Sequence, residues 1–142
     1  KVGSVQTKNK LNYVVTSTKK KTIRLKSATT KKLQTVTIPA TIRISGKTYK
    51  VTQIGNKALY QQSKLKKVTI SSTYLTSIGS KAFAGNQKMT VLKLKSQKLK
   101  KVGKQALQSV SAKLKIYVPA TCQKKYKKLF QNKGQKRVTV LK

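Results

Sequence analysis

Apolar residues recur along the middle of the chain with a period of 24 residues. Each unit holds an Ile or Val before a glycine, then an alanine followed by a large apolar residue, and it closes on two apolar residues that flank a polar or small one. The first unit shows the pattern as Ile54-Gly55, Ala58-Leu59 and Val68-Thr69-Ile70, and it repeats at 78 to 94 and 102 to 118. The closing alternation is typical of a short strand with one buried face. A unit of this size cannot bury its apolar face alone, so the period predicts a stacked solenoid.

Each part of the unit has a physical role. The glycine permits close backbone approach or a positive φ in a turn. Asn56 and Ser80 stand where the N-cap of a helix is expected, and the alanine-containing pair then begins a short helix with its apolar side toward the core. The pattern therefore predicts a parallel sheet on one side of the solenoid and short helices on the other.

The segment before the regular units reads as hairpins and one degenerate unit. Residues 12–26 predict a β-hairpin around Lys19-Lys20, and residues 41–54 predict a second that turns at Ser45-Gly46-Lys47. Val36 and Ile38 resemble the closing pair of an earlier unit.

The last segment reads as a cap of helix and strand. After Pro119, residues 121–132 suit an amphipathic helix with Thr121 as its N-cap. Residues 138–140 predict a final strand.

These motifs together resemble a known family. The stretch VTIPATIRISGKTYKVTQIG, the repeated IG-x-KA-[LF] and KLKKVTI resemble the BspA-type leucine-rich repeats of bacterial cell-surface proteins, and KLKIYVPATCQKKYKKLF followed by NKG is similar to the terminal cap of clostridial members. The resemblance covers residues 10–142. It implies a leucine-rich-repeat solenoid of α/β class, in a secreted or wall-attached protein that serves as an adhesion or ligand-binding surface.

We interpret residues 1–142 as a single leucine-rich-repeat domain. Residues 1–50 form the N-terminal hairpin cap and the degenerate repeat, residues 51–118 about three 24-residue repeats, and residues 119–142 the C-terminal cap of helix and strand. No apolar run reaches the length of a transmembrane helix, and no signal peptide is visible, although a trimmed chain would lack one.

Charge changes the functional interpretation. The chain carries 35 Lys and Arg, no Asp, Glu or His, and a formal net charge of +35. General acid–base catalysis, nucleophilic triads and metal sites depend mostly on the missing residue types, so we expect no enzyme, metal or cofactor. A lysine base or Schiff base is the one catalytic alternative. Cys122 is single, so no disulfide forms within the chain; we expect a semi-buried residue early in a helix, and a reactive thiolate is the alternative.

The chain departs from the resembled family in its acids and cysteines. Family members often have an acidic residue after the Ile-Gly pair and a Cys after the short helix. Here Asn56 and Ser80 hold the first positions, and Gln61, Gln62 and Asn86 lie in the Cys region. About 17 acids are expected at ordinary usage. We interpret their absence as deliberate redesign, with a natural lysine-selected surface protein as the alternative; a natural chain would be secreted or on the cell surface, and an engineered one has no defined location.

The outward positions of the predicted parallel sheet are the candidate binding site. These positions are next to the buried pairs along each strand, and several of them are cationic. The candidate site residues are Lys67, Lys93, Lys95, Lys115 and Tyr117. Such a face suits polyanions, namely nucleic acid, heparin-like glycosaminoglycans, teichoic acid or anionic surfaces. One alternative is a protein or glycan ligand. The other is that this face is only exposed to solvent and binds no ligand. The net charge opposes self-association, so we expect a monomer.

Other basic and aromatic residues are weaker candidates. The lysine runs at 19–21, 98–101 and 124–128 are first of all solvent-exposed faces, although the last could contact phosphates or lipid headgroups. Tyr60, Tyr74 and Tyr126 could stack on bases, but packing is the simpler role. Arg is scarce, which argues against base-specific reading.

The charge predicts a stability that depends on salt. Self-repulsion of +35 on a domain of this size is on the order of 40 kcal/mol even with physiological screening, against a typical stability of about 5–15 kcal/mol. We expect the melting temperature to rise by at least about 5 °C between about 20 mM and 500 mM NaCl, because the Debye length falls below the spacing of neighbouring charges. Thermal denaturation followed by circular dichroism measures this. A melting temperature that does not change with salt contradicts it.

Overall fold

The computed structural model of the protein describes residues 2–134 and 140–141. Strands predominate in this part of the chain, with a short 3-10 helix, Ala120–Cys122, and one α-helix, α1, Gln123–Leu129. The strands are β1 Val5–Lys8, β2 Leu11–Ser17, β3 Thr22–Ala28, β4 Thr35–Ile38, β5 Thr41–Ile44, β6 Lys47–Ile54, β7 Lys67–Ile70, β8 Ser77–Ile78, β9 Val91–Leu94, β10 Lys101–Val102, β11 Lys115–Tyr117 and β12 Val140–Leu141.

The closing apolar pairs form a parallel sheet, as the sequence predicts. Its order is β12-β11-β9-β7-β4, and adjacent strands pair without a register shift. Val68 lies between Val36 and Leu92, and both members of every closing pair are buried. The pair at Val36 and Ile38 is therefore a true repeat strand.

A second sheet of seven strands forms the other side of the solenoid. Its order is β1-β2-β3-β6-β8-β10, with β5 paired to β6. Both predicted hairpins are confirmed: β2 and β3 are antiparallel around residues 18–21, and β5 and β6 are antiparallel around Ser45-Gly46. Strand β1, which the sequence analysis did not predict, extends the first hairpin. Strand β3 then joins the repeats by pairing in parallel with β6.

The predicted short helices are wrong. The segments that contain Ala58-Leu59, Ala82-Phe83 and Ala106-Leu107 are turns, although these apolar residues are buried as expected. Each segment holds a left-handed residue at the same place, for example Lys57 with a φ of 56° and Lys81 with a φ of 56°. A left-handed residue interrupts a right-handed helix.

The turns are held by hydrogen bonds to the neighbouring repeat. The backbone N–H of Lys57 donates to the Ser80 carbonyl at 2.9 Å, and that of Leu59 donates to the Ala82 carbonyl at 2.8 Å. The Oδ1 atom of Asn56 accepts a hydrogen bond from the Ser80 N–H at 2.8 Å. Asn56 therefore links two repeats and does not cap a helix, and Ser80 receives that link without capping one.

Close backbone contact requires two of the glycines that recur in the repeat. A Cβ on Gly79 would lie 2.5 Å from the Asn56 nitrogen, and one on Gly103 would lie 2.3 Å from the Ser80 nitrogen. The Gly79 N–H also donates to the Ile54 carbonyl at 2.7 Å. Of the two roles that the sequence suggests for these glycines, close approach is the one observed.

The C-terminal cap is shorter than predicted. The α-helix spans Gln123–Leu129 rather than 121–132, because Thr121 lies inside the 3-10 helix and makes no capping hydrogen bond. Cys122 is buried at the start of the helix, in agreement with its simpler interpretation. Part of the predicted strand 138–140 lies outside the described residues; Val140 and Leu141 pair in parallel with β11.

The core lies between the two sheets and the turns, and it is almost entirely apolar. Gln62 and Asn86 are exceptions, at 2% and 0% exposure, in the region where the resembled family often has Cys. The Oδ1 atom of Asn86 accepts a hydrogen bond from the Gln62 N–H at 2.8 Å, and the Gln62 side-chain amide donates to the Thr30 carbonyl at 2.9 Å. These amides serve as side-chain links between turns.

We expect Gly79→Ala to destabilise the protein by about 2–4 kcal/mol, because the new Cβ meets backbone atoms that cannot move separately from the repeat stack. Gly46→Ala is the matched control. Gly46 has a φ of 79° but open space around it, so only the left-handed backbone opposes the substitution, at about 1 kcal/mol. Urea unfolding of both variants measures the difference. Equal losses would show that contact between repeats is not limiting.

Candidate ligand-binding face

The outward side chains of the parallel sheet lie in regular rows, because neighbouring strands pair in register. The first row is Thr35, Lys67, Val91 and Lys115. The second row is Thr37, Thr69, Lys93, Tyr117 and Leu141. Lys67, Lys93, Lys115 and Tyr117, which the sequence predicts to point outward, therefore lie on one surface, which we call the sheet face.

The structure brings the predicted site residues together on this face. Lys67 and Lys115 lie two strands apart, about 10 Å, with Val91 between them. Lys93 lies in the next row, with its Cα about 8 Å from each of the other two. Lys95 follows β9 in a third outward position, and its N–H donates to the Ile70 carbonyl at 3.3 Å. These four lysines are exposed and form a shallow cationic array.

Tyr117 completes the array as the partner of Lys93. The two residues are paired across β11 and β9, and the Nζ atom of Lys93 lies 5.9 Å from the centroid of the Tyr117 ring. This distance is within the range of a cation–π interaction. The ring is half-buried, and it holds the ammonium group above the sheet.

No carboxylate side chain neutralises these lysines, because the chain contains no Asp or Glu. Their charges add to one another, and the separation of neighbouring charges is about one Debye length at physiological salt. The array can therefore attract an anion with several lysines at once. Its shallow shape places few limits on the form of that anion.

The other tyrosines differ in their accessibility. Tyr74 is half-buried between Lys50 and Lys98, whose Nζ atoms lie 4.8 and 5.9 Å from its ring centroid. Tyr60 is in contact with Lys57 at 5.4 Å. Both rings are already engaged by the chain's own lysines.

Tyr126 is a core residue and contacts no ligand-accessible surface. Its hydroxyl donates to the Ser96 carbonyl at 2.7 Å and accepts from the Leu99 N–H at 3.0 Å. Burial is the main cause that raises the pKa of Tyr126 above its ordinary value. The packing interpretation of this tyrosine is confirmed.

The lysine runs lie at the surface. The run at 19–21 is exposed at the tip of the first hairpin, and Lys98, Lys100 and Lys101 are exposed between β9 and β10 and at the start of β10. The four lysines of the last run are exposed on the C-terminal helix.

The sequence analysis did not identify a groove on the seven-stranded sheet. It has a volume of about 490 Å³ and lies over the row of glycines, with Arg24, Lys26 and Lys101 among its lining residues. The sequence could have indicated some of its lining residues, because Gln53, Ser77 and Lys101 occupy the same position of the 24-residue repeat, just before the Ile/Val-Gly pair. Arg24 and Lys26 carry no such signal.

The stacked repeats and their parallel sheet place the protein in the class of leucine-rich-repeat solenoids. A profile of the BspA type leucine rich repeat region matches residues 47–142 with six copies. The chain therefore belongs to the BspA-type leucine-rich-repeat family, as its motifs predict. No curated protein matches the sequence.

Solved structures share this fold. A leucine-rich repeat protein from Bacteroides capillosus is 20% identical, with a TM-score of 0.71 over 98% of this chain and 99% of that one. A leucine-rich cell surface protein from Faecalibacterium prausnitzii is 20% identical, with a TM-score of 0.62 over 96% of this chain. The pneumococcal vaccine antigen PcpA is 19% identical, with a TM-score of 0.53 over 87% of this chain and 40% of that one. The chain spans 42% of the Faecalibacterium protein.

Relatives of this family include cell-surface proteins, and the family is one of repeat modules that mediate interactions. The match indicates no catalytic family. Within the part of the chain that the structure describes, no helix is both long and apolar enough to cross a membrane.

The position of Val91 between two lysines gives a test of the array's electrostatics. We expect Val91→Lys to destabilise the protein by about 0.5–2 kcal/mol more than Val91→Gln at low salt, because it places three like charges directly opposite one another. Val91→Gln removes the same apolar contact without adding charge. The difference in melting temperature should shrink at high salt. A difference that persists at high salt contradicts the electrostatic explanation.

Proposed function

We propose that the protein is a non-catalytic interaction module of cell-surface type, and that the sheet face is its ligand-contacting surface. Family membership and the likeness to a bacterial cell-surface protein support the first part. The regular array of Lys67, Lys93, Lys95, Lys115 and Tyr117 is the observation that carries the second. A rigid sheet presents these groups without a large loss of backbone entropy on binding.

Residue chemistry supports a binding role over an enzymatic one. The sheet face offers ammonium, hydroxyl and aromatic groups, but the chain has no carboxylate or imidazole to exchange protons near neutral pH. The array lies on an open surface that does not exclude water. General acid–base and electrostatic catalysis usually require a site from which water is excluded. Ammonium, hydroxyl and aromatic groups on such a surface are suited to binding a ligand.

A polyanionic ligand is the form of this function that the charges favour. Nucleic acid, glycosaminoglycans, teichoic acid and anionic surfaces all present repeated negative groups to a cationic array. The described rows of the sheet face contain lysine and no arginine, which favours point-charge contacts over bidentate recognition of bases. A protein or neutral glycan partner is the alternative, and it depends on shape more than on ammonium contacts.

The lack of acids is compatible with redesign of a family scaffold. Asn56 occupies a position where family members often have an acid, and its Oδ1 accepts the Ser80 N–H as a carboxylate oxygen does. Replacement of an acid by an amide therefore preserves this link between repeats. We retain redesign as our interpretation of the composition, and a lysine-selected natural chain as its alternative.

The experiment compares two variants of equal net charge. Lys67→Gln/Lys93→Gln/Lys115→Gln neutralises the array, and Lys19→Gln/Lys20→Gln/Lys21→Gln neutralises the exposed hairpin tip as the matched control. Each variant is titrated with heparin and duplex DNA at several salt concentrations, with circular dichroism recorded in the same samples.

We expect the sheet-face variant to bind heparin at least about tenfold more weakly, and its log–log salt slope for DNA to fall by about 2–3, because up to three phosphate contacts are lost. The control should change much less. Equal losses in both variants would mean that net charge alone governs binding and that the sheet face is not a site. If neither heparin nor duplex DNA binds at physiological salt, the result favours a protein or a neutral glycan as the partner.

A further inference from the structure

The groove on the seven-stranded sheet is lined by two rows of residues that cross this sheet. The first runs Arg24, Gln53, Ser77 and Lys101, which are paired strand by strand across β3, β6, β8 and β10. The second begins at Lys26 and continues through the glycines at 55, 79 and 103, of which Gly55 and Gly103 are buried.

The repeated glycines line the groove. A Cβ on Gly55, Gly79 or Gly103 would meet the Leu25 carbonyl or the backbone of the preceding repeat, so neighbouring backbone already fills these positions. The first row and the turns that hold Asn56 and Ser80 supply the side chains that line the groove. The glycine backbone is already engaged, since the Gly79 and Gly103 N–H groups donate within the sheet at 2.7 Å. A ligand in the groove must therefore bind to the side chains of its walls and ends.

Cations stand at both ends of the groove. Arg24 and Lys26 lie at the end formed by β3, and Lys101 lies at the end formed by β10. Three strand spacings separate Arg24 from Lys101, which is about 14 Å. Gln53 and Ser77 supply amide and hydroxyl groups between them. The groove therefore has positive charge at each end and neutral polar side chains between the two ends.

Arg24 is the most informative of these residues. It is one of three arginines in the chain, whereas the other 32 cationic residues are lysines. Its side chain is half-buried and lies along the glycine row, with Cδ 3.3 Å from the place that a Cβ on Gly55 would occupy. Within the described residues no hydrogen bond engages its guanidinium group, whereas Arg43 donates to the Gly46 carbonyl at 2.8 Å. Its planar donors remain available for bidentate contact with a sulfate or carboxylate.

The lining favours one class of ligand. Among the residues that the structure describes, no aromatic side chain lines the groove, and base stacking is the contact on which the binding of single-stranded nucleic acids depends. Amide and hydroxyl walls match the hydroxyl groups of sugars, and the volume of about 490 Å³ suits a small ligand in extended form. We propose that this groove binds a short acidic oligosaccharide, with its sulfate or carboxylate groups at Arg24 with Lys26 and at Lys101, and its hydroxyl groups on Gln53 and Ser77.

This site is separate from the sheet face, because it lies on the other sheet and uses none of the same residues. A protein with both would contact acidic polymers in two ways. The sheet face attracts many polyanions through its charge, whereas the groove selects for a chain with acidic groups at a fixed spacing.

The test is a binding measurement on two variants that both carry a net charge of two less than the parent. Arg24→Gln/Lys101→Gln removes one cation from each end of the groove, and Lys19→Gln/Lys20→Gln removes two from the exposed hairpin tip. The probes are a heparin hexasaccharide, a glutamate hexapeptide and an oligothymidylate of similar charge, all near physiological salt. Melting temperatures of both variants confirm that they fold.

We expect the groove variant to bind the hexasaccharide at least tenfold more weakly than the parent, and the control to bind it within about twofold. Both variants should lose similar, smaller factors for the peptide and the oligothymidylate. Equal loss of hexasaccharide binding in both variants overturns the groove as a site. A loss for the peptide or oligothymidylate as large as that for the hexasaccharide overturns the assignment to oligosaccharides.

Ser77→Phe is a second variant, and it fills the groove without changing charge. We expect it to weaken hexasaccharide binding by a similar factor, with Ser63→Phe at an exposed turn as its control. Unchanged binding in Ser77→Phe contradicts a ligand that lies along the groove. These results are independent of the sheet-face variants, so the two sites succeed or fail separately.

Discussion

The whole structure depends on close backbone contact between successive repeats. Each 24-residue unit has two short strands, a turn and few apolar side chains, so it has neither a core nor complete hydrogen bonding by itself. Contact with the next unit supplies both, through parallel strand pairing on two sides and turn-to-turn hydrogen bonds on the third. Glycine at positions 79 and 103 makes that contact possible, because any Cβ there would meet the backbone of the preceding repeat. The hairpins and the C-terminal helix then close the two ends of the stack.

This form of cohesion explains how a chain with +35 charge holds a folded core. The attractive contacts are internal and uncharged, namely backbone hydrogen bonds and an apolar cluster that runs from the first hairpin to β12. The lysines lie outside, and those on the sheet face are separated by threonine, valine or tyrosine in the same row. Tyrosine rings also stabilise some of the ammonium groups through cation–π contacts, as at Tyr74 between Lys50 and Lys98. The remaining repulsion has no carboxylate to oppose it, so salt and bound anions are the means of reducing it.

The same repeat geometry produces both candidate surfaces, but with different side chains. On the five-stranded sheet, exposed lysines recur above a full pleated surface and form a shallow array. On the seven-stranded sheet, the glycines that permit stacking line a groove, and Arg24 lies at the end of it formed by β3. The first surface favours attraction without much selection, and the second favours a defined spacing of acidic groups.

The sequence by itself determined the repeat, the buried closing pairs, the two hairpins and the side of the parallel sheet on which Lys67, Lys93 and Lys115 lie. Strand side chains alternate with a period of two, so a buried Val68 places Lys67 outside without knowledge of the partner strand. Only the tertiary structure decided that the turns are not helices, because their N–H groups find partners one repeat away. Only the tertiary structure paired β3 with β6 and so brought Arg24 beside the glycine row. Both outcomes rest on hydrogen bonds between segments more than 20 residues apart, which no local pattern of apolar and polar residues records.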